Sequence, residues 1–227
     1  GDVYKRQEYI NIPNNVTLID AYAFSYCSNL SYITIPDSVM TVGFGAFDYC
    51  TNLKNVSIGK GVKKFGVSPF DDTNVIPDGV FFNCNNLSYI SVDAENKVYC
   101  SLEGNLFNKN KTELLQYARG RLNTEYSIPA SVIKIHSSAF NNSTNLRNIT
   151  IPNGVKAIGS FSGCVNLESI DIPDSVTSVN SNLAQSFYNC KNLTDIKIGN
   201  GIKEISYQMF KSLSLIHISE PTRLDVI

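Results

Sequence analysis

Six cysteines and two histidines are the residues of this 227-residue chain best suited to nucleophilic, redox or metal chemistry. Five of the cysteines, Cys27, Cys50, Cys84, Cys164 and Cys190, each stand three residues after a phenylalanine. Metal clusters want short ligand spacings, usually with histidine among the ligands, and these five are spread along the chain without one. Disulfides between successive copies would have Cα atoms at bridging distance, but parallel side chains give poor bridge geometry. The pattern therefore predicts a ladder of small buried residues with free thiols, in preference to a metal site or bridges. Cys100 lies off the ladder and is the candidate reactive thiol. A Cys100–His136 nucleophile pair is one to consider, but no glycine-rich phosphate loop and no Ser-His-Asp arrangement accompanies it. Asp171 and Asp195 fall on neighbouring predicted strands, where a solvated face is expected in place of a glycosidase pair. The sequons Asn29-Leu30-Ser31, Asn86-Leu87-Ser88 and Asn192-Leu193-Thr194 arise because a turn asparagine precedes a core leucine. No catalytic, cofactor-binding or metal residue is assigned, and the chain is not expected to be an enzyme.

What positions these residues is a repeat. Pro13 to Pro36, Phe24 to Phe47, Cys27 to Cys50 and Leu30 to Leu53 are each separated by 23 residues. One period held at four positions is the signature of a solenoid. In the copy from Ser31 to Leu53, the alternation of Tyr32-Ile33-Thr34-Ile35 predicts a half-buried strand. Pro36 ends it, having no N–H for a further ladder bond, and Asp37 and Ser38 supply turn chemistry. Val39 and Val42 should point inward on the next side of the coil. Ala46, Phe47 and Cys50 fit one face of a short helical turn. One coil cannot bury its own apolar face, so each depends on the coils above and below it. Phe24, Phe47, Phe81, Phe140, Phe161, Phe187 and Phe210 are expected to stack as a buried spine.

The unit, L-x-x-I-x-I-P-x-x-V-x-x-I followed by A-F-x-x-C-x-x-L, resembles the BspA-like leucine-rich repeat of bacterial surface proteins. A second segment, Asn96 to Lys109, is similar to a family insertion N-x-x-Y-x-S-x-x-G-x-L-F-N-K, with departures at Cys100 and Asn105. The fold read from repeat and resemblance is a repeat solenoid. It has one parallel β-sheet, short helical turns on the other side, and a small β insertion over residues 96–117. The resemblance implies an exported bacterial protein, extracellular or on the cell surface. It also implies a binding or adhesion module for a protein ligand on a host or neighbouring cell. The alternative is a scaffold or spacer region of a larger secreted protein carrying a separate catalytic or carbohydrate-binding domain.

About eight coils can be traced. Extra residues in the third fall around Val67 to Asp78, where prolines and aspartates predict a surface loop. Residues 8–212 are read as the repeat region. Segments 1–7 and 213–227 match, by back-translation, the two strands of a sequencing adapter and are set aside as non-native tails. That reading leaves Ile10 and Ile198 near open sheet edges. Formal net charge is −1, so no strong field favours nucleic acid or an anionic membrane. No apolar run is long enough to span a bilayer, and no cofactor is expected.

Residues between the inward Ile and Val positions must face out from the sheet. The candidate partner-binding residues are therefore Tyr9, Tyr32, Thr34, Asn55, Tyr89, Ser91, Asn148, Thr150, Asp171 and Lys197. Tyr9, Tyr32 and Tyr89 share one strand position, so half of the face reads as aromatic and half as polar and charged. Tyrosine gives large contact area at low entropic cost. The competing reading is that these rings only cover neighbouring strands.

Overall fold

The computed structural model of the protein describes residues 7–67, 79–179, 186–203, 213 and 217–219. The first coils contain β1 (Tyr9–Ile10), β2 (Leu18–Ile19), β3 (Tyr32–Ile35), β4 (Thr41–Gly43), β5 (Asn55–Ile58), β6 (Lys64–Val67) and β7 (Tyr89–Val92). The inserted segment supplies β8 (Tyr99–Leu102), β9 (Asn105–Asn108) and β10 (Glu113–Gln116). The later coils hold β11 (Glu125–Ser127), β12 (Lys134–Ile135), β13 (Asn148–Thr150), β14 (Ala157–Ile158), β15 (Ser169–Ile172), β16 (Ser178–Val179), β17 (Asp195–Ile198) and β18 (His217–Ser219).

A coil is a strand, a turn, a shorter strand and a second, longer turn. In β3 and β5 exposed and buried residues alternate strictly, which is the period of a strand with one wet face. At the end of β3 the Pro36 carbonyl accepts from the Val39 N–H at 3.1 Å, closing a tight turn that aims Val39 and Val42 into the core. The stacked first strands are parallel and in register, so Ile10, Ile33, Val56 and Ile90 form one apolar column. Each half of the solenoid therefore has two sheets where one was expected. The first strands form β1-β3-β5-β7 and β11-β13-β15-β17-β18, while the second strands form β2-β4-β6 and contribute β12, β14 and β16 to a six-stranded sheet. The shorter strands exist because Val42, Phe65, Ile135 and Ile158 also need an inward-facing, ladder-bonded backbone.

The expected short helical turns are not found among the described residues. In the A-F-x-x-C stretch only alternate N–H groups bond back within the turn: Ala23 to Asp20, Ser25 to Tyr22, Cys27 to Phe24. The others point along the solenoid axis, with Tyr22, Phe24 and Tyr26 donating to the carbonyls of Phe44, Ala46 and Asp48 in the next coil at 2.7–3.0 Å. A helix would send every N–H back along its own chain, leaving the neighbouring coil without donors. The backbone reverses through a left-handed residue immediately before each ladder position: Tyr26, Tyr49, Asn83, Asn142, Gly163 and Asn189, with φ between 54° and 76°. For a residue other than glycine or asparagine this conformation costs roughly 1–2 kcal/mol.

The rings of Phe24, Phe47 and Phe81 stack with centroids 5.4 and 5.7 Å apart, and those of Phe140, Phe161 and Phe187 at 5.4 Å. Tyr117, from the insertion, continues the second stack, 5.3 Å from Phe140. Phe210, the loop expected up to Asp78 and residues 1–6 lie outside the described residues. β18, inside the segment read as a tail, pairs in parallel with β17, Ile218 opposite Ile196, so Ile198 lies at an open edge only without that segment. The opposite edge is β1.

The insertion is a wall. β8, β9 and β10 pair antiparallel, and β10 then pairs parallel with β12. Leu106 and Leu115 belong to the core of the first half, whereas their neighbours Phe107 and Leu114 belong to that of the second. Strands buried on both faces carry apolar residues in succession, which accounts for Leu106-Phe107 and Leu114-Leu115. Asn96 ties the wall to the third coil. Its buried amide donates to the carbonyls of Gly59 and Val62, and its Oδ1 accepts from the N–H groups of Val98 and Tyr99, all at 2.9–3.1 Å. Glu103 and Gly104, both at positive φ, make the two-residue turn between β8 and β9, the hairpin geometry whose twist matches antiparallel strands.

Phe47→Ala should lower unfolding stability by about 3–5 kcal/mol, since the ring is stacked on both sides. A loss below about 1 kcal/mol in urea titration would contradict the packing. Asn96→Ala should cost about 3 kcal/mol or more, as it strands buried donors and acceptors of two coils. A hydrogen-exchange measurement should find the loss of protection centred on 96–117, and uniform loss would argue against a separate wall.

Candidate functional site

The outward face of the first-strand sheet carries the sequence-predicted positions. Tyr9, Tyr32, Asn55 and Tyr89 stand in register on β1, β3, β5 and β7. The three tyrosines are 50, 46 and 51% exposed. Tyr9 and Tyr32 stack with centroids 5.4 Å apart. Asn55 interrupts the row, and Tyr89 lies over the hairpin turn, where a Cβ on Gly104 would meet its ring at 2.7 Å. Tyr89 therefore does both things the sequence left open: it covers a neighbour and remains half in water. One residue further along the same face, Thr34, Ser57 and Ser91 line a shallow groove of about 680 Å³ with Asp37 and Asp93 at its end.

The corresponding face of the second half is polar. Thr150, Asp171, Asp174 and Lys197 border a groove of about 780 Å³ together with Asn148 and Ser169. Register places Lys197 beside Asp171, and their side chains pair at 3.0 Å in the open. An exposed pair of this kind adds little stability, but it removes Asp171 from any carboxylate dyad with Asp195, which sits opposite Ser169. Hydroxyls, amides and the Asp171–Lys197 ion pair line this face.

The thiol chemistry is engaged elsewhere. All six cysteines are free thiols, and the five ladder members are buried. The Sγ of Cys50, Cys84, Cys164 and Cys190 each donates to the phenylalanine carbonyl of the preceding coil, Phe24, Phe47, Phe140 and Phe161, at 3.0–3.1 Å. Cysteine therefore serves as a small apolar residue with one donor aimed up the stack. Cys100 Sγ donates to the Asn108 carbonyl at 3.2 Å, and burial raises its pKa. His136 Nε2 meets Glu113 Oε2 at 2.6 Å, so the two candidates have separate partners. Among the described residues no group of three or more His, Cys, Asp or Glu side chains converges as a metal site.

The family described as BspA type leucine rich repeat region matches in six copies, over residues 4–118 and 116–227. The chain belongs to that family. A leucine-rich repeat protein from Eubacterium ventriosum is similar at 24% identity with a TM-score of 0.59, over 91% of this chain and 64% of that one. The pneumococcal vaccine antigen PcpA is similar at 20% identity with a TM-score of 0.58, over 92 and 61%. A Bacteroides ovatus leucine-rich repeat protein gives 23% and 0.51, over 86 and 46%. At these identities the likeness shows the fold. The chain spans less than two thirds of the length of each of these structures. No curated protein sequence matches it. BspA-type repeats are a scaffold architecture, and in this one no helix among the described residues is long and apolar enough to cross a membrane.

Three features escaped the sequence reading. Tyr117 fills a spine position because the wall delivers it there. Arg119 is buried at the seam between the halves; burial lowers its pKa, opposed by Cys84, Cys164 and Asp48 nearby. Tyr22, Tyr26 and Tyr49 stand exposed on the long turns. The signal for Tyr26 and Tyr49 was present, since each precedes a ladder cysteine where other copies have asparagine or glycine.

Burial raises the Cys190 thiol from 9.0 to about 12, and the Tyr99, Tyr117 and Tyr126 phenols from 10.0 to about 12. Unfolded chains release these protons first, so the stability that burial confers is intact below pH 9 and is lost as pH rises towards 12. The urea midpoint should hold from pH 7 to about 8.5 and fall steadily above about pH 9. A constant midpoint up to about pH 11 would contradict the buried placement of these groups.

Proposed function

We propose that this repeat region is a non-enzymatic protein-binding module of an exported bacterial surface protein, extracellular or at the cell surface, with attachment to a host or neighbouring-cell protein as its role. The observation that carries it is the row of half-exposed tyrosines in register at Tyr9, Tyr32 and Tyr89 beside the hydroxyl groove of Thr34, Ser57 and Ser91. Burying such rings against a partner removes large apolar area from water at small entropic cost. Asn55 stands within the tyrosine row, while Asn148, Thr150, Asp171 and Lys197 form the polar face of the second half's first-strand sheet. PcpA is by its description a vaccine antigen of the pneumococcus, which fits an exposed location for a protein of this fold. A scaffold role beside another domain is the second reading, supported by the fact that the similar structures are longer chains.

Tyr32→Ala and Tyr89→Ala should each weaken attachment to a purified partner by about 1–2 kcal/mol. Stability should be unchanged for Tyr32 and slightly reduced for Tyr89, which covers Gly104. Asp171→Ala should do much less. Equal affinity of wild type and the double tyrosine variant, measured by surface plasmon resonance on a partner captured by cross-linking, would sink the strand-face reading.

A further inference from the structure

The seam between the two halves encloses a charge that no protein group meets. Arg119 is 1% exposed, and neither Nε nor Nη1 of its guanidinium has a hydrogen-bond partner. The backbone beside it fixes where it lies. The Gly120 N–H donates to the Leu87 carbonyl of the third coil at 2.7 Å, and the Arg121 carbonyl accepts from Asn145 Nδ2 of the fifth at 2.8 Å. Arg119 is thereby caught between the third and fifth long turns, near both Cys84 and Cys164 of the ladder.

The rung between those two cysteines is Ser143, a serine where the rungs on both sides carry a thiol. A ladder thiol donates to the phenylalanine carbonyl of the coil before it. In the coil before Ser143 the spine residue is Tyr117, and its carbonyl accepts from Gln116 Nε2 at 2.7 Å instead. Ser143 Oγ is buried and unpartnered. So is the hydroxyl of Tyr117, a residue that also lies near Cys164. Asn105, whose Oδ1 holds the Ala118 N–H, faces the Tyr126 hydroxyl without closing a hydrogen bond to it.

The chemistry of this set selects its ligand. A guanidinium only donates and keeps its charge, and the two hydroxyls beside it can donate as well. Among the described residues no carboxylate pairs with Arg119. Asp48 feels its charge, but accepts from Asn83 Nδ2 at 3.2 Å and makes no ion pair with it. Cys164 supplies no thiolate, because burial pushes its pKa far up. A buried charge left unpaired is strongly destabilising, and an unsatisfied buried donor calls for a water or an ion. Water would give the guanidinium an acceptor but no counter-charge, and sulfate would bring two charges to one cation. A monatomic, monovalent anion balances the charge and accepts from N–H and O–H groups without regard to direction. We propose that the seam binds one halide ion, chloride in ordinary media, held by the Arg119 guanidinium and the Ser143 and Tyr117 hydroxyls. Bound there, it is a structural ligand that ties the third coil to the fifth, and so the first half of the solenoid to the second.

The test is thermal unfolding of the full chain in sodium chloride and in sodium gluconate, at equal ionic strength so that screening is the same. A ligand that binds only the folded state raises the midpoint with its concentration. Between about 1 and 300 mM chloride the wild-type midpoint should climb by at least about 3 °C relative to gluconate, and bromide should act like chloride. Arg119→Met removes the charge at similar volume, and its midpoint should be the same in the two salts. Ser143→Ala keeps the charge and should need several-fold more chloride for the same rise. Crystals of wild type grown in sodium bromide should show an anomalous-scattering peak in hydrogen-bonding contact with Arg119. If Arg119→Met fails to fold, the wild-type salt comparison and the bromide peak decide the matter without it. Equal wild-type midpoints in the two salts would overturn the proposal, and so would a chloride-dependent rise retained by Arg119→Met. Bromide peaks at surface lysines alone would mean an adventitious ion only, and would overturn it too.

Discussion

Everything in this molecule depends on hydrogen bonds that each coil makes with the next and cannot make within itself. Along the long turn, alternate N–H groups close the local bend and the rest reach across to the neighbouring carbonyls. The thiol of the ladder cysteine does the same, reaching the phenylalanine carbonyl of the preceding coil. A coil in isolation would leave those groups to water and its apolar side uncovered. Stability is therefore a property of stacking, and the chain must keep its register from copy to copy. The left-handed residue before the cysteine follows from the same constraint, because it turns the backbone so that the next donor points along the axis.

The wall between the halves shows how such a stack can be interrupted. Between Cys84 and the Ser143 position there is no long turn in the fourth coil. Turns three and five touch instead, through Asn83 and Asn142 at 3.5 Å. The gap this would leave is filled from the side by three antiparallel strands, of which β9 and β10 are buried on both faces, pinned by the Asn96 amide. Arg119 is enclosed at this seam. Asn105, one of the departures from the family pattern, is part of the same seam, with Oδ1 accepting from the Ala118 N–H at 2.9 Å.

Because the interior demands the same residues at every copy, variation is pushed outward. The strand face has tyrosines on three rungs of the first half and an Asp171–Lys197 pair in the second. The long turns carry tyrosines in the first two copies and asparagine or glycine afterwards. Both aromatic features lie in the same half of the solenoid, on different sides of it. A single stack thereby holds both at a fixed separation, since neither can shift without breaking the coil-to-coil bonds that define both.

How much of this could be read from residues alone follows from the range of the forces involved. The period, the alternation of Tyr32-Ile33-Thr34-Ile35, the stop at Pro36 and the outward position of Tyr9, Tyr32 and Tyr89 are short-range consequences of strand geometry, and these the sequence determined by itself. It also determined that Cys27, Cys50, Cys84, Cys164 and Cys190 are interior, because one repeat position must have one environment. Spacing could not separate a helical turn from the turn found, since Ala46, Phe47 and Cys50 suit either. The choice is made by donors that leave the turn for the next coil, a partner invisible in a single copy. The second sheet, the wall with Leu106 and Phe107 facing different cores, the place of Tyr117 in the spine, the pairing of Asp171 with Lys197 and the stack of Tyr26 on Tyr49 were decided only by tertiary structure. Each is a contact between residues far apart in sequence, and its existence depends on which coil comes to lie beside which.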